Sequence, residues 1–406
     1  MAMPLEGIRI IDWTIWQQGP VATMLLGDLG AEVIKIEERV GGDPGRGVMS
    51  LMGVMLGTTS QRNFYFEANN RNKKSITLDL KKEKAREIVY KLAEKYDVFV
   101  QNFRKGVATK LGVDYPTLFR YNPKLIYASA TGYGPLGPDS GEPSFDYMGL
   151  ARSGIMTAVG EPDMPPQSIT GGIADQMGAI MLAYGVLAAI VARERLGVGQ
   201  EVDTSHLGSM MILQGLNLSC KLIVGTEFKR TYRSKAPNPL WNHYQCGDGQ
   251  WICLAMGQAD RYWSDFCKAL GIQELDKDPR FENIQVRAQH SEELIVILDK
   301  VLASKPRDQW MKIFKTADGD FIYTVVNTIG DLPEDPQMLA NDYIVDFNHP
   351  TLGPIKEVGV PVRLSKTPGR VQAPAPEFGE HTEQVLIDLL GYSWEDIARL
   401  KEEEVI

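Results

Sequence analysis

Residues 7–36 read GIRIIDW TIWQQGP VATMLLGDLG AEVIKI. The apolar run at 7–13 reads as a buried strand, 21–29 as a helix and 31–36 as a second strand. Further along, 74–80 (KSITLDL) alternates as a strand does, and 82–96 places Ala85, Ile88, Val89, Leu92, Ala93 and Tyr96 on one face of an amphipathic helix. Short apolar runs at 98–100 and 125–129 add two more strands. Strands alternating with helices predict an α/β fold whose parallel sheet is covered by helices on both faces. Two nucleotide-binding readings fail on the loops. Glu37 and Glu38 sit where a ribose-binding acid would, but 14–20 (TIWQQGP) holds one glycine where a dinucleotide-binding turn needs three. No Walker A pattern occurs.

A chain of 406 residues with 44% hydrophobic and 23% charged side chains has an ordinary globular composition and room for two or three units of structure. Its net charge of −9 argues against nucleic acid or an anionic membrane as partner, since both call for basic patches. Cys220, Cys246, Cys253 and Cys267 show no CxxC spacing, and no second ligand pair joins His243 and Cys246. No metal site and a reduced, cytoplasmic setting follow. The start, MAMPLEG, lacks the basic and apolar segments of a signal peptide. The longest apolar stretch, 177–192, is shorter than a bilayer needs and reads as a buried core helix.

One carboxylate stands at the start of that helix, in Gly171-Gly172-Ile173-Ala174-Asp175-Gln176-Met177-Gly178. Asp175 has two readings: a plain N-cap, or a reactive acid held by amides and the helix dipole. Around 220–245 the character changes to a basic, proline-marked connection (229–239). An aromatic-rich unit follows, with Trp241, His243, Tyr244, Trp251, Tyr262, Trp263 and Phe266. Helices are expected at 260–270, 291–303 and 307–315, loop and strand at 339–362, and a last helix near 381–390. The end, Lys401-Glu402-Glu403-Glu404, reads as a solvated tail.

Several pieces together resemble the class III CoA-transferases, the CaiB/BaiF family. The opening Pro4-Leu5-Glu6-Gly7-Ile8-Arg9-Ile10-Ile11-Asp12, then Gln17, Gly19 and Pro20, then Leu29 to Glu37 with Gly42-Asp43-Pro44 follow the family order. So do Asn72-Lys73-Lys74-Ser75, Asn102-Phe103, Thr131-Gly132-Tyr133-Gly134, Asp175, 193–203 (RERLGVGQEVD) and Gly379-Glu380-His381-Thr382. The resemblance implies a Rossmann-like large domain from 1–220 and 331–406, a smaller α+β domain inserted at 221–330, and two protomers interlocked as rings. A heteromer with a paralogous chain is the alternative.

The same resemblance implies an enzyme that moves CoA from an acyl-CoA to a carboxylic acid, with Asp175 as the nucleophile and no permanent cofactor. Gln17 matches a position over the thioester, with Trp16 and Gln18 beside it. Lys73, Lys74, Asn102, Phe103 and Lys110 become candidates for CoA. Without the family match, the basic clusters read equally well as solvated loops. Arg39 follows Glu38, an acid where the formyl-CoA transferase pattern has an arginine near the adenine. Gly132-Tyr133-Gly134 and the turn Ala255-Met256-Gly257-Gln258 are candidate oxyanion-stabilising turns.

Rival readings share the resemblance. An α-methylacyl-CoA racemase needs a histidine where this chain has Phe145, which cannot carry a proton. His206 and His243 read as structural histidines. A noncatalytic subunit of a heteromeric transferase is disfavoured by Asp175. The run 255–260 (AMGQAD) lacks the glycine-rich pattern of oxalate enzymes. The stretch 238–244 (NPLWNHY) looks more like relatives handling phenyllactate, cinnamate or benzylsuccinate, with carnitine-type acceptors as the alternative. Its aromatics could line an apolar pocket or form the small domain's core.

Overall fold

A computed structural model of the chain describes residues 2–51, 53–58 and 62–406. Six parallel strands form the main sheet: β1 (Arg9–Trp13), β2 (Glu32–Glu37), β3 (Lys74–Thr77), β4 (Val98–Gln101), β5 (Ile126–Thr131) and β6 (Gln200–Ser205). Their order is 3-2-1-4-5-6, that of a doubly wound Rossmann-type sheet. The first five match the expected alternation. β6 was not foreseen, because Glu201 and Asp203 on an edge strand interrupt its apolar character.

Helix α1 (Gln18–Asp28) follows β1 on one face, where Val21, Ala22 and Leu26 join Ile10, Val33, Val98 and Val100 in a buried cluster. Helix α2 (Glu83–Lys95) lies on the other face, packing Ile88, Val89 and Leu92 against Ile11, Ile34, Ile76 and Phe99. Further along the chain lie α3 (Asp146–Ser153), α4 (Ile173–Leu196) and α5 (His206–Leu213). At 24 residues α4 outruns the apolar stretch that marked it, and is long and apolar enough to cross a membrane. Its Ala179, Leu182, Ala183, Val186 and Ile190 are instead buried with α1 and the sheet, so it serves as a core helix.

Residues 401–404 are exposed, as a solvated segment would be, but they are held between a helix and a buried end. Ser393 caps a helix over Trp394–Glu402, the Asp79 amide donates to the Val405 carbonyl at 2.9 Å, and Val405 and Ile406 are buried. The charges of 401–404 mask an apolar anchor in the two residues that follow them.

By compactness the chain divides into two units. The first comprises Met1–Met156, Ser168–Glu227 and Leu339–Ile406; the second comprises Thr157–Gln167 and Phe228–Met338. The expected boundary at 220/221 falls inside a helix, Gly215–Val224, and 330/331 falls inside a helical turn, Ile329–Glu334. In the second unit, strands Trp241–Gln245, Trp251–Ala255 and Tyr323–Val326 form an antiparallel sheet. Helices Ala259–Leu270, Ser291–Leu302 and Arg307–Thr316 supply its core with Phe266, Leu298 and Trp310.

A buried ionic cluster ties the sheet of the first unit to α1. Lys73 Nζ donates to Asp12 Oδ2 (2.8 Å), the Pro20 carbonyl (2.8 Å) and Asn70 Oδ1 (2.9 Å), which uses all three ammonium protons. Burial pulls the Lys73 ammonium down to about 8 even with Asp12 beside it. Burial alone would raise the Asp12 carboxyl, but Lys73 and Lys35 outweigh it and hold the group below the usual carboxylate range. Lys73→Met strands a buried carboxylate and is expected to cost about 3–5 kcal/mol. A urea midpoint equal to that of the unaltered protein would show that the pair does not hold the fold.

Candidate active site

Ligands of a doubly wound sheet sit at the carboxyl ends of the strands, where the strand order reverses. Here that point lies between β1 and β4, and the loops leaving these strands are bonded to each other. Asn102 Oδ1 accepts the Ile15 amide at 2.9 Å and its Nδ2 donates to the Ile15 carbonyl at 2.7 Å. Phe103 stacks on Trp13 with centroids 4.1 Å apart. Trp16 follows with φ of 66°, a strained value for a bulky residue, and its amide donates to Asp43 Oδ1 at 3.1 Å.

That loop delivers two glutamines onto α4. Gly172 (φ 68°) precedes the helix, and a Cβ on it would lie 2.5 Å from the Gln17 amide nitrogen. Gln18 packs on Gly178 in the same way, with a hypothetical Cβ at 2.4 Å, and is only 4% exposed. Glycine at both positions lets the glutamines lie against the helix backbone beside Asp175.

Asp175 is not the N-cap. It is the third residue of α4, and the free amides of Ala174 and Asp175 donate to Asp146 Oδ1 at 2.6 and 3.2 Å. Burial, with Asp175 nearby, raises the Asp146 carboxyl despite those amides. A second acid therefore caps the helix, and the Asp175 carboxylate meets the positive end of the helix dipole without being used as a cap. Its Oδ1 is 2.8 Å from His206 Nε2.

Two cavities meet at Asp175. One, of about 340 Å³, is lined by Ile15, Gln18, Asn102, Phe103, Gly132 and His206. The other, of about 600 Å³, is mainly apolar, with Phe64, Ala68, Tyr147 and Ile169 beside Gln17 and Gln176. Trp16, Tyr65, Phe145 and Asp175 belong to both. Trp16 and Phe145 meet edge to face at 6.0 Å. Burial and the surrounding carboxylates of Asp175, Asp43 and Asp146 push the Tyr65 phenol well above its usual range, so its hydroxyl stays a proton donor. A third cavity, of about 430 Å³, shares Ile15, Phe103 and Val107 with the first and carries Lys81 and Glu38.

The structure brings Trp16, Gln17, Gln18, Asn102, Phe103, Gly132 and Asp175 together at these cavities. It places Lys73 and Lys74 elsewhere. The protons of Lys73 are consumed inside the core, leaving none for a phosphate. Lys74 opens β3 and lies 3.7 Å from Glu32, at the amino end of β2. The strand then carries the chain to Lys81, the cation at the carboxyl end. That residue was missed because alternation marks a strand without saying which end faces the site.

Lys110 is exposed on a short helix, Val107–Lys110, whose Val107 lines the third cavity. Arg39 is 3.2 Å from Glu404, while Glu38 accepts the amides of Val40 and Gly41. The Tyr133 ring lies under Arg152, and the Gly134 amide donates to Thr131 Oγ1 at 3.0 Å. The turn at 255–258 belongs to the second unit, as do the aromatics of 238–266. Of those, Tyr244, Tyr262, Trp263 and Phe266 are core, and Trp241 is exposed. Among the described residues, no three His, Cys, Asp or Glu side chains form a metal-binding group.

Residues 5–382 match the model of CoA-transferase family III. The chain belongs to this family. It is 32% identical to a (R)-2-hydroxy-4-methylpentanoate CoA-transferase of Clostridioides difficile over all of both chains. Identity to a succinyl-CoA:glutarate CoA-transferase of Mus musculus is 34%, over 98% of this chain and 89% of the other. A cinnamoyl-CoA:phenyllactate CoA-transferase of Clostridium sporogenes is 31% identical, over 99% and 97%. A crystal structure of a CaiB/BaiF family protein from Brucella suis superimposes with a TM-score of 0.84 at 29% identity, covering 96% of this chain and all of that one.

For this family III member, Gly172→Ala adds a methyl group where Gln17 lies and disfavours the backbone. A displacement of about 1 Å at a reacting group costs on the order of 10²-fold in rate. Steady-state CoA-transfer assays are expected to show a loss of that size in kcat, with unaltered activity as the contrary result.

Proposed function

We propose that the chain transfers CoA between carboxylic acids through a thioester on Asp175. The observation that carries this reading is a carboxylate relieved of capping by Asp146 and standing where two cavities meet. An Asp175 oxygen attacks the thioester carbonyl, and the carbon–sulfur bond breaks to release CoA thiolate. The thiolate attacks Cγ of the resulting anhydride, the donor acid leaves, and aspartyl-CoA remains. The acceptor carboxylate reverses the sequence and carries the CoA away. Gln17, Gln18 and the Tyr65 hydroxyl are the donors that face these steps.

The first and third cavities are neighbours that share Ile15, Phe103 and Val107, an arrangement that suits a pantetheine arm leading to a nucleotide near Lys81 and Lys110. The second cavity suits the acyl group. Its lining of Trp16, Phe64, Tyr65, Phe145 and Tyr147 supports an apolar or aryl acid as acceptor. The aromatics of 238–266 do not enter that argument. A racemase is disfavoured twice: Phe145 is no base, and His206 touches Asp175, which leaves no space for an α-carbon between them.

We place the enzyme in the cytoplasm as a homodimer. Helix Gly215–Val224 buries none of its residues, and Leu216, Leu222, Ile223 and Val224 are exposed apolar side chains of the kind a second protomer covers.

Mixing the protein with 4-methylpentanoyl-CoA, cinnamoyl-CoA or succinyl-CoA without acceptor is expected to add esterified CoA to the Asp175 peptide in mass spectrometry. Asp175→Ala is expected to abolish both adduct and turnover while still binding CoA; persistent turnover would remove Asp175 from the chemistry. By calorimetry, Lys81→Ala is expected to weaken CoA binding by about 1.5 kcal/mol, roughly tenfold in Kd, and Lys74→Ala to leave it unchanged. The reverse ranking would put the phosphates at the other end of β3.

A further inference from the structure

The imidazole of His206 is held on every side. Ser205 caps α5 by accepting the Gly208 amide at 2.9 Å, and the Leu207 amide donates to the Gly132 carbonyl at 3.1 Å, which fixes the backbone on both sides of His206. Ser144 Oγ is 3.3 Å from Nδ1, and Ser144 sits against Gly132, where a Cβ would lie 2.1 Å from its own Cβ. Gly149 of α3 completes the seat: a Cβ there would lie 2.8 Å from that of Ala174 and 2.9 Å from that of His206. Three helices thus close on one histidine, which is 5% exposed and lines the smaller cavity at Asp175.

An ionised carboxylate has no proton to give, so the proton between Asp175 Oδ1 and His206 Nε2 belongs to the imidazole. That bond occupies Oδ1 and leaves Oδ2 as the attacking oxygen. Once Oδ2 is acylated, Oδ1 is the carbonyl oxygen of the aspartyl group. It gathers negative charge each time CoA thiolate or an acceptor carboxylate adds to Cγ. A donor already in place at Oδ1 stabilises that charge without reorganising.

We propose that His206 is a positioning residue for the aspartyl half of the cycle: it selects Oδ2 as nucleophile and donates Nε2–H to the oxyanion that forms at Oδ1. His206 itself makes and breaks no covalent bond. The inference rests on Asp175 being the nucleophile and goes beyond that assignment by naming the group that sets its geometry.

The test compares His206→Gln with His206→Asn in the full-length protein. The glutamine amide can reach the place of Nε2, whereas the shorter asparagine amide reaches only the place of Nδ1. His206→Asn is expected to lower kcat by about 10²-fold, with KM for the CoA thioester changed by no more than about twofold, and His206→Gln to recover about tenfold of the loss. Affinity for free CoA, read by calorimetry, is expected to stay as in the unaltered protein. Equal kcat in the two variants would overturn the donor role and leave His206 a packing residue, as would an unchanged kcat in His206→Asn. Adduct formation by the unaltered enzyme, read with the three thioesters above, separates the two claims. If Asp175 labels and the variants behave alike, the His206 inference alone falls. If Asp175 never labels, the nucleophile reading falls and takes the inference with it.

Discussion

The loop that shapes the site depends on a buried lysine. Lys35 in the middle of β2 is fully buried, and its ammonium donates to the Thr14 carbonyl and pairs with Asp43, both at 2.8 Å. Asp43 in turn accepts the amides of Trp16 and Gly45. Glu37, at the end of the same strand, accepts the Asp43 amide and a bidentate pair from Arg46. Burying such charges is costly unless each is paired and fully bonded. The cluster therefore permits one arrangement of residues 14–18, including the positive φ of Trp16, whose strain of about 1–3 kcal/mol the surrounding bonds offset.

With that loop fixed, the helix junction can do something unusual with an acid. A helix beginning in glycines leaves amides that some side chain must satisfy. Here Asp146 at the start of α3 satisfies two of them for α4, and close approach of α3 is possible because position 149 has no side chain. Asp175 keeps the favourable dipole field while its carboxylate faces His206 and the cavities. Capping the helix and lining the cavities have been divided between two carboxylates from different helices.

Much of the large unit was legible in the sequence. The first five strands of the sheet, α1, α2 and α4, and the three main helices of the second unit follow from apolar periodicity, which reports burial on one or both faces. Asp175 stood out because glycines and a long apolar run bracket it. Lys81 did not stand out, His206 read as a structural histidine, and Lys73 stood out although its protons are consumed inside the core. A charged side chain next to a motif looks the same in sequence whether it faces a cleft or is consumed by a partner such as Asp12, 61 residues away. The aromatics of 238–266 were ambiguous for the same reason, since core and pocket both call for large apolar side chains.

The sequence by itself determined the α/β class, the membership of CoA-transferase family III and the acid on which the reading turns, because periodicity and ordered motifs are local properties of the chain. Only the tertiary structure decided that Asp146 does the capping, that His206 and Tyr65 face Asp175, that Lys81 rather than Lys74 stands at the cavity end of β3, and that the last residues of the chain are buried. Each of these depends on which strand ends and helix starts meet in space, and backbone packing sets that over separations that no local pattern encodes.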